Sequence, residues 1–318
     1  MRIAIITSDP GLDSCQLLAA EATSRGHQWV DLELLRLAVR TTQPTLLHDG
    51  LEVGPLDAVI IRLGARFPGL VEAAGRALEQ QQVALLDGVD SLLAAQDKMT
   101  TLQKLSAAGI PVPQSELVRD LDQLEAAIER VGGAPVVIKP MSGSQGRGVI
   151  LAERVSTAVS MMESVLFQSR EFIVQQYIEC EGQDTRILVI DGQVVAAMQR
   201  TAPAGDFRSN LHRGGSAIAI EPSDDMKSLA LEASHHMGLR CAGVDLIEED
   251  GQYLVLEVNG SPGLQGIART TGVDVASHWI DALERVVEDS TVDSTVDSTV
   301  DSTVDSTVDI EGRNREQV

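Results

Sequence analysis

Tyr253-Leu254-Val255-Leu256-Glu257-Val258-Asn259 decides how this 318-residue chain is read. The stretch has the composition of a β-strand, and the two-residue period puts Tyr253, Val255, Glu257 and Asn259 on one face. A carboxylate and a carboxamide side by side in an otherwise apolar strand cost free energy unless something binds them. Upstream, Ala242–Glu248 reads as the partner strand across an Asp250-Gly251 turn, and Asp245 within it offers a third oxygen donor. Three oxygen donors with no thiol or imidazole beside them suit a hard cation, Mg²⁺ or Mn²⁺, bridging nucleotide phosphates. The alternative is a buried polar cluster satisfied by arginines. The metal reading makes a geometric demand. A two-residue turn alone sets Asp245 opposite Leu256, on the wrong face, so an odd-length loop or a bulge is required to bring it to the face of Glu257.

Farther upstream lies a cation-bearing segment, Gly205-Asp206-Phe207-Arg208-Ser209-Asn210-Leu211-His212-Arg213-Gly214-Gly215, preceded by Arg200. In an acidic chain such a bundle suits phosphate and carboxylate substrates. The plainer reading is an exposed loop whose ion pairs are worth little. A glycine-rich loop, Ser142-Gly143-Ser144-Gln145-Gly146-Arg147-Gly148, lies between two strand-like runs, and Lys139 ends the first of them after Val136-Val137-Ile138. Glycines let backbone N–H groups close on an anion. A Walker loop would precede a helix and end in Gly-Lys-Ser/Thr; a loop between strands is nearer to the phosphate cover of kinases. A hairpin tip and a snorkelling lysine are the structural alternatives for these residues.

The rest of the body alternates strands with helices. Arg2–Thr7, Asp57–Arg62 and Val83–Leu86 read as strands, separated by helical patterns over 13–25 and 68–82. Such alternation argues for a parallel sheet, and no Gly-x-Gly-x-x-Gly follows the first strand. A second unit begins near Gln96, with a helix from Asp97 to Ala108, strands Ser115–Val118 and Val136–Lys139, and strand Phe172–Tyr177 leading out. A third unit holds the hairpin around Asp191-Gly192, a helix capped by Ser223 and ended by Gly238, the hairpin described above and a last helix from Val273 to Val287. The expected division is an N-terminal α/β lobe over residues 1–95, a central lobe over 96–175, a C-terminal lobe over 176–287 and a tail over 288–318.

Composition narrows the function classes. The chain is 43% hydrophobic, enough for an aliphatic core, and carries a net charge of −22, which repels nucleic-acid phosphates. No apolar run approaches the ~20 residues of a membrane span. Cys15, Cys180 and Cys241 have no metal-binding spacing and suit a reducing cytoplasm. Ser290-Thr291-Val292-Asp293 recurs five times in tandem up to Asp309, a period and a single sign of charge that read as a disordered acidic tail.

Taken in chain order, these segments resemble the ATP-grasp carboxylate–amine ligases, and within them the RimK-like ribosomal-protein glutamate ligases. The likeness spans residues 1–287. It is carried by Asp97-Lys98, Val131-Gly132-Gly133-Ala134-Pro135, Gln145-Gly146-Arg147-Gly148-Val149, the Gly205–Gly215 segment, Ala242-Gly243-Val244-Asp245 and Glu257-Val258-Asn259-Gly260-Ser261-Pro262-Gly263-Leu264. The resemblance implies an ATP-grasp fold: an N-terminal α/β lobe, then two α+β lobes enclosing ATP. It implies that Lys98 and Lys139 hold phosphates under Ser142, Gly143, Ser144, Gln145 and Gly146. Gln176, Tyr177, Ile178 and Glu179 would line the adenine site, with Asp184 on the ribose. Arg208, with Asn210 beside it, would face the transferring phosphate, making Arg208 and Lys139 the catalytic cations. Asp245, Glu257 and Asn259 would seat two Mg²⁺ or Mn²⁺ ions. The implied reaction adds glutamate to the C-terminus of a small-subunit ribosomal protein through an acylphosphate, in a cytoplasmic homotetramer. A glutamate ligase acting on a small molecule is the alternative, and a nucleotide-binding regulatory protein without turnover is a second.

Overall fold

Arg2–Thr7 (β1) is apolar at every position from Ile3 to Ile6, as a strand covered on both faces must be. Ala4 and Ile6 enter one core while Ile3 and Ile5 enter another. In the computed structural model, the described residues are 1–43, 45–62, 67–141, 148–165, 171–209 and 214–300, without the side chains of 164–165 and 291–300. After β1 come α1 (Asp13–Ser24) and β2 (Gln28–Glu33), then a small antiparallel sheet of β3 (Leu37–Arg40), β4 (Thr45–His48) and β5 (Leu51–Glu52). The sheet resumes with β6 (Ala58–Arg62), followed by α2 (Pro68–Gln80) and β7 (Ala84–Leu85). The order β2-β1-β6-β7 is parallel throughout, as the alternating pattern requires. Helices α3 (Val89–Gln96) and α4 (Lys98–Ala107) lead to the central lobe.

That lobe is built from β8 (Ser115–Val118), α5 (Leu124–Arg130), β9 (Val136–Pro140), β10 (Ile150–Ala152), α6 (Val155–Val165) and β11 (Phe172–Gln176). Its antiparallel sheet has the order β10-β9-β11-β8. Val118, Leu124, Ile128, Val136, Ile138 and Phe172 belong to a core of its own. The C-terminal lobe comprises β12 (Gln183–Ile190), β13 (Gln193–Thr201), β14 (Ser216–Ala219), α7 (Asp224–Met237), β15 (Cys241–Glu249), β16 (Gln252–Asn259), α8 (Leu264–Thr271) and α9 (Val275–Val300), with sheet order β14-β13-β12-β15-β16. Ser223 caps α7 by accepting the Met226 N–H, and Gly238 closes it in the left-handed conformation.

The first and last lobes share their cores. Ile187, Val189, Val244 and Val258 pack with Ala4 and Ile6, whereas Leu188, Ile190, Trp279 and Leu283 pack with Ile3 and Ile5. Arg25, at the end of α1, adds ion pairs to Asp281 and Glu284 of α9. Only the central lobe stands apart from this joint base.

Several elements depart from the expectation, among them β2, α3 and β14, for which no strand or helix was expected. The sheet β3–β5 and helix α8 were not anticipated, and α9 continues to Val300, so residues 288–300 are helical where an unstructured tail was expected. A helix already nucleated by buried Val275, Ala276, Trp279, Ile280 and Leu283 gains a hydrogen bond for each residue added, which offsets the modest propensities of Ser, Thr, Val and Asp. Residues 301–318 lie outside the described residues.

Candidate active site

The demand placed on the β15–β16 hairpin is met by a bulge. The turn itself has two residues, Glu249 pairing with Gln252 and Leu246 with Val255. Asp250 and Gly251 both take positive φ, 50° and 81°, which the tight turn needs. Between Asp245 and Leu246 the register then shifts, Leu256 is left without a partner, and Asp245 comes directly opposite Glu257. Gly243 faces Asn259 at the end of the ladder. A Cβ on Gly243 would lie 2.8 Å from that of Pro262, so the close approach of the Ser261–Gly263 loop requires glycine there.

Asp245 is first of all an arginine partner. Arg186 on neighbouring β12 grips it with two parallel bonds, Nε to Oδ1 and Nη2 to Oδ2, both 2.7 Å. Arg200 on β13 adds a contact from Nη2 to Oδ2 at 3.0 Å and binds Asp184 with both arms of its fork, Nε to Oδ1 at 2.6 Å. Burial alone would raise the Asp245 pKa; the guanidinium groups of Arg186 and Arg200 override it and hold the carboxyl below its ordinary value. Burial would likewise lower the Arg200 pKa, and Asp245 and Asp184 more than reverse that. The arginine-satisfied cluster is therefore real at Asp245. Glu257 is half-buried and accepts no hydrogen bond among the described residues, while Asn259 donates from Nδ2 to the Gly243 carbonyl at 3.4 Å.

The facing wall comes from the central lobe. Lys139, on β9, is 8% exposed and donates from Nζ to Gln175 Oε1 at 2.9 Å. Its pKa falls to about 8: burial pushes it down, Glu257 across the cleft pulls it up in part, and Lys98 adds to the lowering. Lys98 opens α4 behind its N-cap Asp97, whose side chain accepts the Thr100 N–H at 2.7 Å. Between the walls is an open cleft of about 1000 Å³ of atom-free space, solvent at its mouth included. Lys98, Lys139, Gln176, Tyr177, Ile178, Asp184, Arg200, Arg208, Asp245 and Glu257 all line it.

Gln176 is spoken for at both ends of its amide: Oε1 accepts from the Gln114 N–H, and Nε2 donates to Glu249 at 2.6 Å. Arg208 forks onto Asp206, Nε to Oδ1 and Nη2 to Oδ2 at 2.9 Å each, and reaches the Val149 carbonyl at 3.3 Å. Tyr177 meets Phe207 edge to face, centroids 6.4 Å apart. Glu179 is exposed and is not part of the cleft lining. Ser142, Gly143, Ser144, Gln145, Gly146 and Asn210, with His212 and Arg213, lie outside the described residues. Arg186 and Gln175 were missed by the sequence reading. Both carry the sign used for Glu257, a polar side chain inside an apolar strand.

Comparison with known proteins follows from this geometry. Residues 95–283 match the family model described as the RimK-like ATP-grasp domain, and residues 1–92 match the RimK pre-ATP-grasp domain. The chain belongs to the RimK-like ATP-grasp family. It is accordingly an ATP-grasp ligase. A probable alpha-L-glutamate ligase of Aeromonas salmonicida is 40% identical over 287 residues, 89% of this chain and 96% of the relative. One from Picosynechococcus is also 40% identical, over 288 residues, 90% of this chain and 96% of the relative. Among solved structures, an ATP-grasp RimK domain protein of Sphaerobacter thermophilus superposes with a TM-score of 0.70 at 23% identity, covering 89% of this chain and 99% of that one. The ligase PsnB complexed with a minimal precursor gives 0.69 at 23%, covering 89% and 98%. These two likenesses establish the fold.

The donor set of this RimK-like cleft fits a hard divalent cation. Among the described residues no cluster of three or more His, Cys, Asp or Glu is arranged for a metal, but a carboxamide oxygen supplies what such a count omits. Glu257 brings a carboxylate not committed to an arginine, while Asn259, which is not part of the cleft lining, spends an amide donor on Gly243 and keeps Oδ1 as an acceptor. Asp245 is committed more deeply: Oδ2 meets both Arg186 and Arg200, and Oδ1 has a second lone pair beyond its one bond to Arg186. Of the two carboxylates, Glu257 is therefore the one left free of arginine bonds among the described residues.

Proposed function

We propose that this protein joins glutamate, through its amine, to the C-terminal carboxylate of a small-subunit ribosomal protein at the expense of ATP. One observation carries the reading: Lys98, Lys139 and Arg208 converge on the same open cleft as the cross-strand pair Asp245–Glu257. Cations and hard oxygen donors lining one cleft suit a triphosphate with its metal. The names of the 40%-identical relatives support glutamate as the amine, and a PsnB structure held with precursor, Mg and ADP supports the nucleotide and ion.

The chemistry balances without a protein nucleophile. An acceptor carboxylate oxygen attacks the γ-phosphorus, the bond to ADP breaks, and an acylphosphate forms. The glutamate amine then attacks the acyl carbon, loses a proton, and inorganic phosphate leaves. Bound Mg²⁺ or Mn²⁺, as one ion or two, would neutralise phosphate oxygens from Glu257, Asn259 and the shared Asp245. Lys139 from the central lobe and Lys98 from the start of α4 bind and orient the phosphates. Arg208, exchanging part of its grip on Asp206, meets the charge that develops on the transferring phosphoryl group. Arg186 and Arg200 keep Asp245 ionised and in place. Tyr177, Ile178 and Phe207 supply the apolar end of the cleft for the base. Three unpaired cysteines accord with a cytoplasmic enzyme, and a homotetramer follows from the resemblance, to be checked by light scattering.

The test is ADP release that depends on added glutamate, with mass spectrometry of the acceptor. Successive glutamate-unit mass increments on a small-subunit ribosomal protein are expected. Glutamate-dependent ADP release with an unmodified ribosomal protein would move the acceptor to a small molecule. ADP release indifferent to glutamate would end the proposal.

A further inference from the structure

The structure assigns Gln175 the role of a positioning residue for ligation: it aims the Lys139 ammonium into the nucleotide cleft. This rests on the reading of Lys139 as a phosphate-binding group. The strand order β9-β11-β8 sets Gln175 between Lys139 on one side and Ser115, its direct cross-strand partner, on the other. Three side chains then form a row across the sheet. Lys139 Nζ donates to Gln175 Oε1 at 2.9 Å, Gln175 Nε2 donates to Ser115 Oγ at 2.7 Å, and Ser115 Oγ donates to the Pro113 carbonyl at 2.9 Å.

The row can run in only one direction. An ammonium donates and never accepts, and the Pro113 carbonyl accepts and never donates, so the carboxamide between them must turn its oxygen to the lysine. Rotating it by half a turn would oppose N–H to N–H at Lys139 and draw the Ser115 hydroxyl from the Pro113 carbonyl to the carboxamide oxygen. Gln175 is 2% exposed, where an amide left unbonded is costly. The lysine head, on a stem of four rotatable bonds, is thereby tethered at one of its three donors while the rest of the ammonium lines the cleft. A tethered cation loses less conformational entropy when phosphate arrives. Nothing else in the described central lobe performs this task, since Lys139 has no other hydrogen-bond partner among the described residues.

Gln175→Met keeps the volume and removes the acceptor; Gln175→Glu keeps an acceptor oxygen; Ser115→Ala leaves the carboxamide but lets it rotate. Dissociation constants of Mg-ADP, measured by calorimetry on the full chain, and kcat and KM for ATP would be compared with thermal melting. Gln175→Met is expected to weaken Mg-ADP about tenfold or more. Ser115→Ala should weaken it by a smaller factor, and Gln175→Glu should retain affinity within a few-fold. In a Lys139→Met background Gln175→Met should change nothing further. Equal losses from Gln175→Met in both backgrounds, or none in the parent, overturn the assignment alone. Should Gln175→Met fail to fold, wild-type affinity in Ser115→Ala overturns it. Unchanged Mg-ADP affinity in Lys139→Met overturns the phosphate role of the lysine and this assignment together.

Discussion

Two buried carboxylates meet strand β15, one at its start and one midway, and they are kept there by opposite means. Asp87 follows β7 and accepts the backbone N–H groups of Arg240 and Cys241 at 2.7 and 3.2 Å. Asp245 lies between two guanidinium groups. The exposures are alike, 7% and 3%. Burial raises the Asp87 pKa to about 7. At Asp87 two backbone N–H groups and the charges of Arg240 and Arg62 offset burial only in part, whereas guanidinium groups bonded directly to the carboxylate reverse it at Asp245. The first carboxylate ties the N-terminal lobe to the C-terminal sheet, and the second is a fixed anion at the floor of the cleft.

The largest effect expected is at Asp245. Asp245→Asn removes the charge that two buried arginines share, and chemical denaturation should show a loss of about 3–5 kcal/mol along with the loss of ligation. Wild-type stability in that variant would mean the arginine clamp does not form. Glu257→Gln, one position across the same ladder, should instead lower turnover by on the order of a hundredfold while stability moves by about 0.5 kcal/mol or less. If both variants lose stability equally, the distinction between clamped and open carboxylate is gone.

The pH dependences should run in opposite directions. A raised folded pKa at Asp87 means the folded state holds its proton longer than the unfolded chain, so the Asp87 contribution to stability falls as pH rises from about 4 to about 7 and is flat above. Its full span is at most about 4 kcal/mol, from roughly 1.4 kcal/mol for each pKa unit. Asp245, with a depressed folded pKa, contributes stability above its unfolded value that is lost as pH falls below it. Unfolding free energies of Asp87→Asn and the parent across this range should converge at the acid end and separate in favour of the variant near neutrality. Parallel curves would remove the raised acid at Asp87.

These two carboxylates also mark what the sequence discloses and what it hides. Asp191-Gly192 and Asp250-Gly251 declare their hairpins because few other pairs accept positive φ at both turn positions, and they adopt 50° and 71°, and 50° and 81°. Asp245 and Glu257 stand out because charge inside an apolar strand is costly. The bulge that joins them has no local sequence mark, since Leu256 is an ordinary strand residue, and it followed only from requiring both side chains on one face. Asp87, in Leu86-Asp87-Gly88, looks like any turn aspartate, because its partners are backbone groups more than 150 residues away. The pooling of Ile3 and Ile5 with Leu188 and Trp279 is equally long-range, so the fusion of the first and last lobes could not be read from either segment.

The smallest effect concerns Lys139, whose charge is balanced rather than clamped. With a folded pKa of about 8, the lysine loses its proton before the unfolded chain does, so the free fold gains stability between pH 8 and about 10.5 while the phosphate-binding charge disappears. Mg-ADP affinity should decline as pH rises through about 8, approaching tenfold for each further unit, and Lys139→Arg should flatten the profile because guanidinium keeps its proton. Glu257 raises this pKa and Lys98 lowers it, so removing each charge should displace the midpoint in opposite directions. Glu257→Gln is expected to move it to lower pH and Lys98→Gln to higher pH, each by a fraction of a unit, since both charges act across a solvent-filled cleft. Raising the salt concentration should shrink both displacements together. Midpoints that shift the same way in the two variants would show that Lys139 responds to the shape of the cleft and not to the charges facing it.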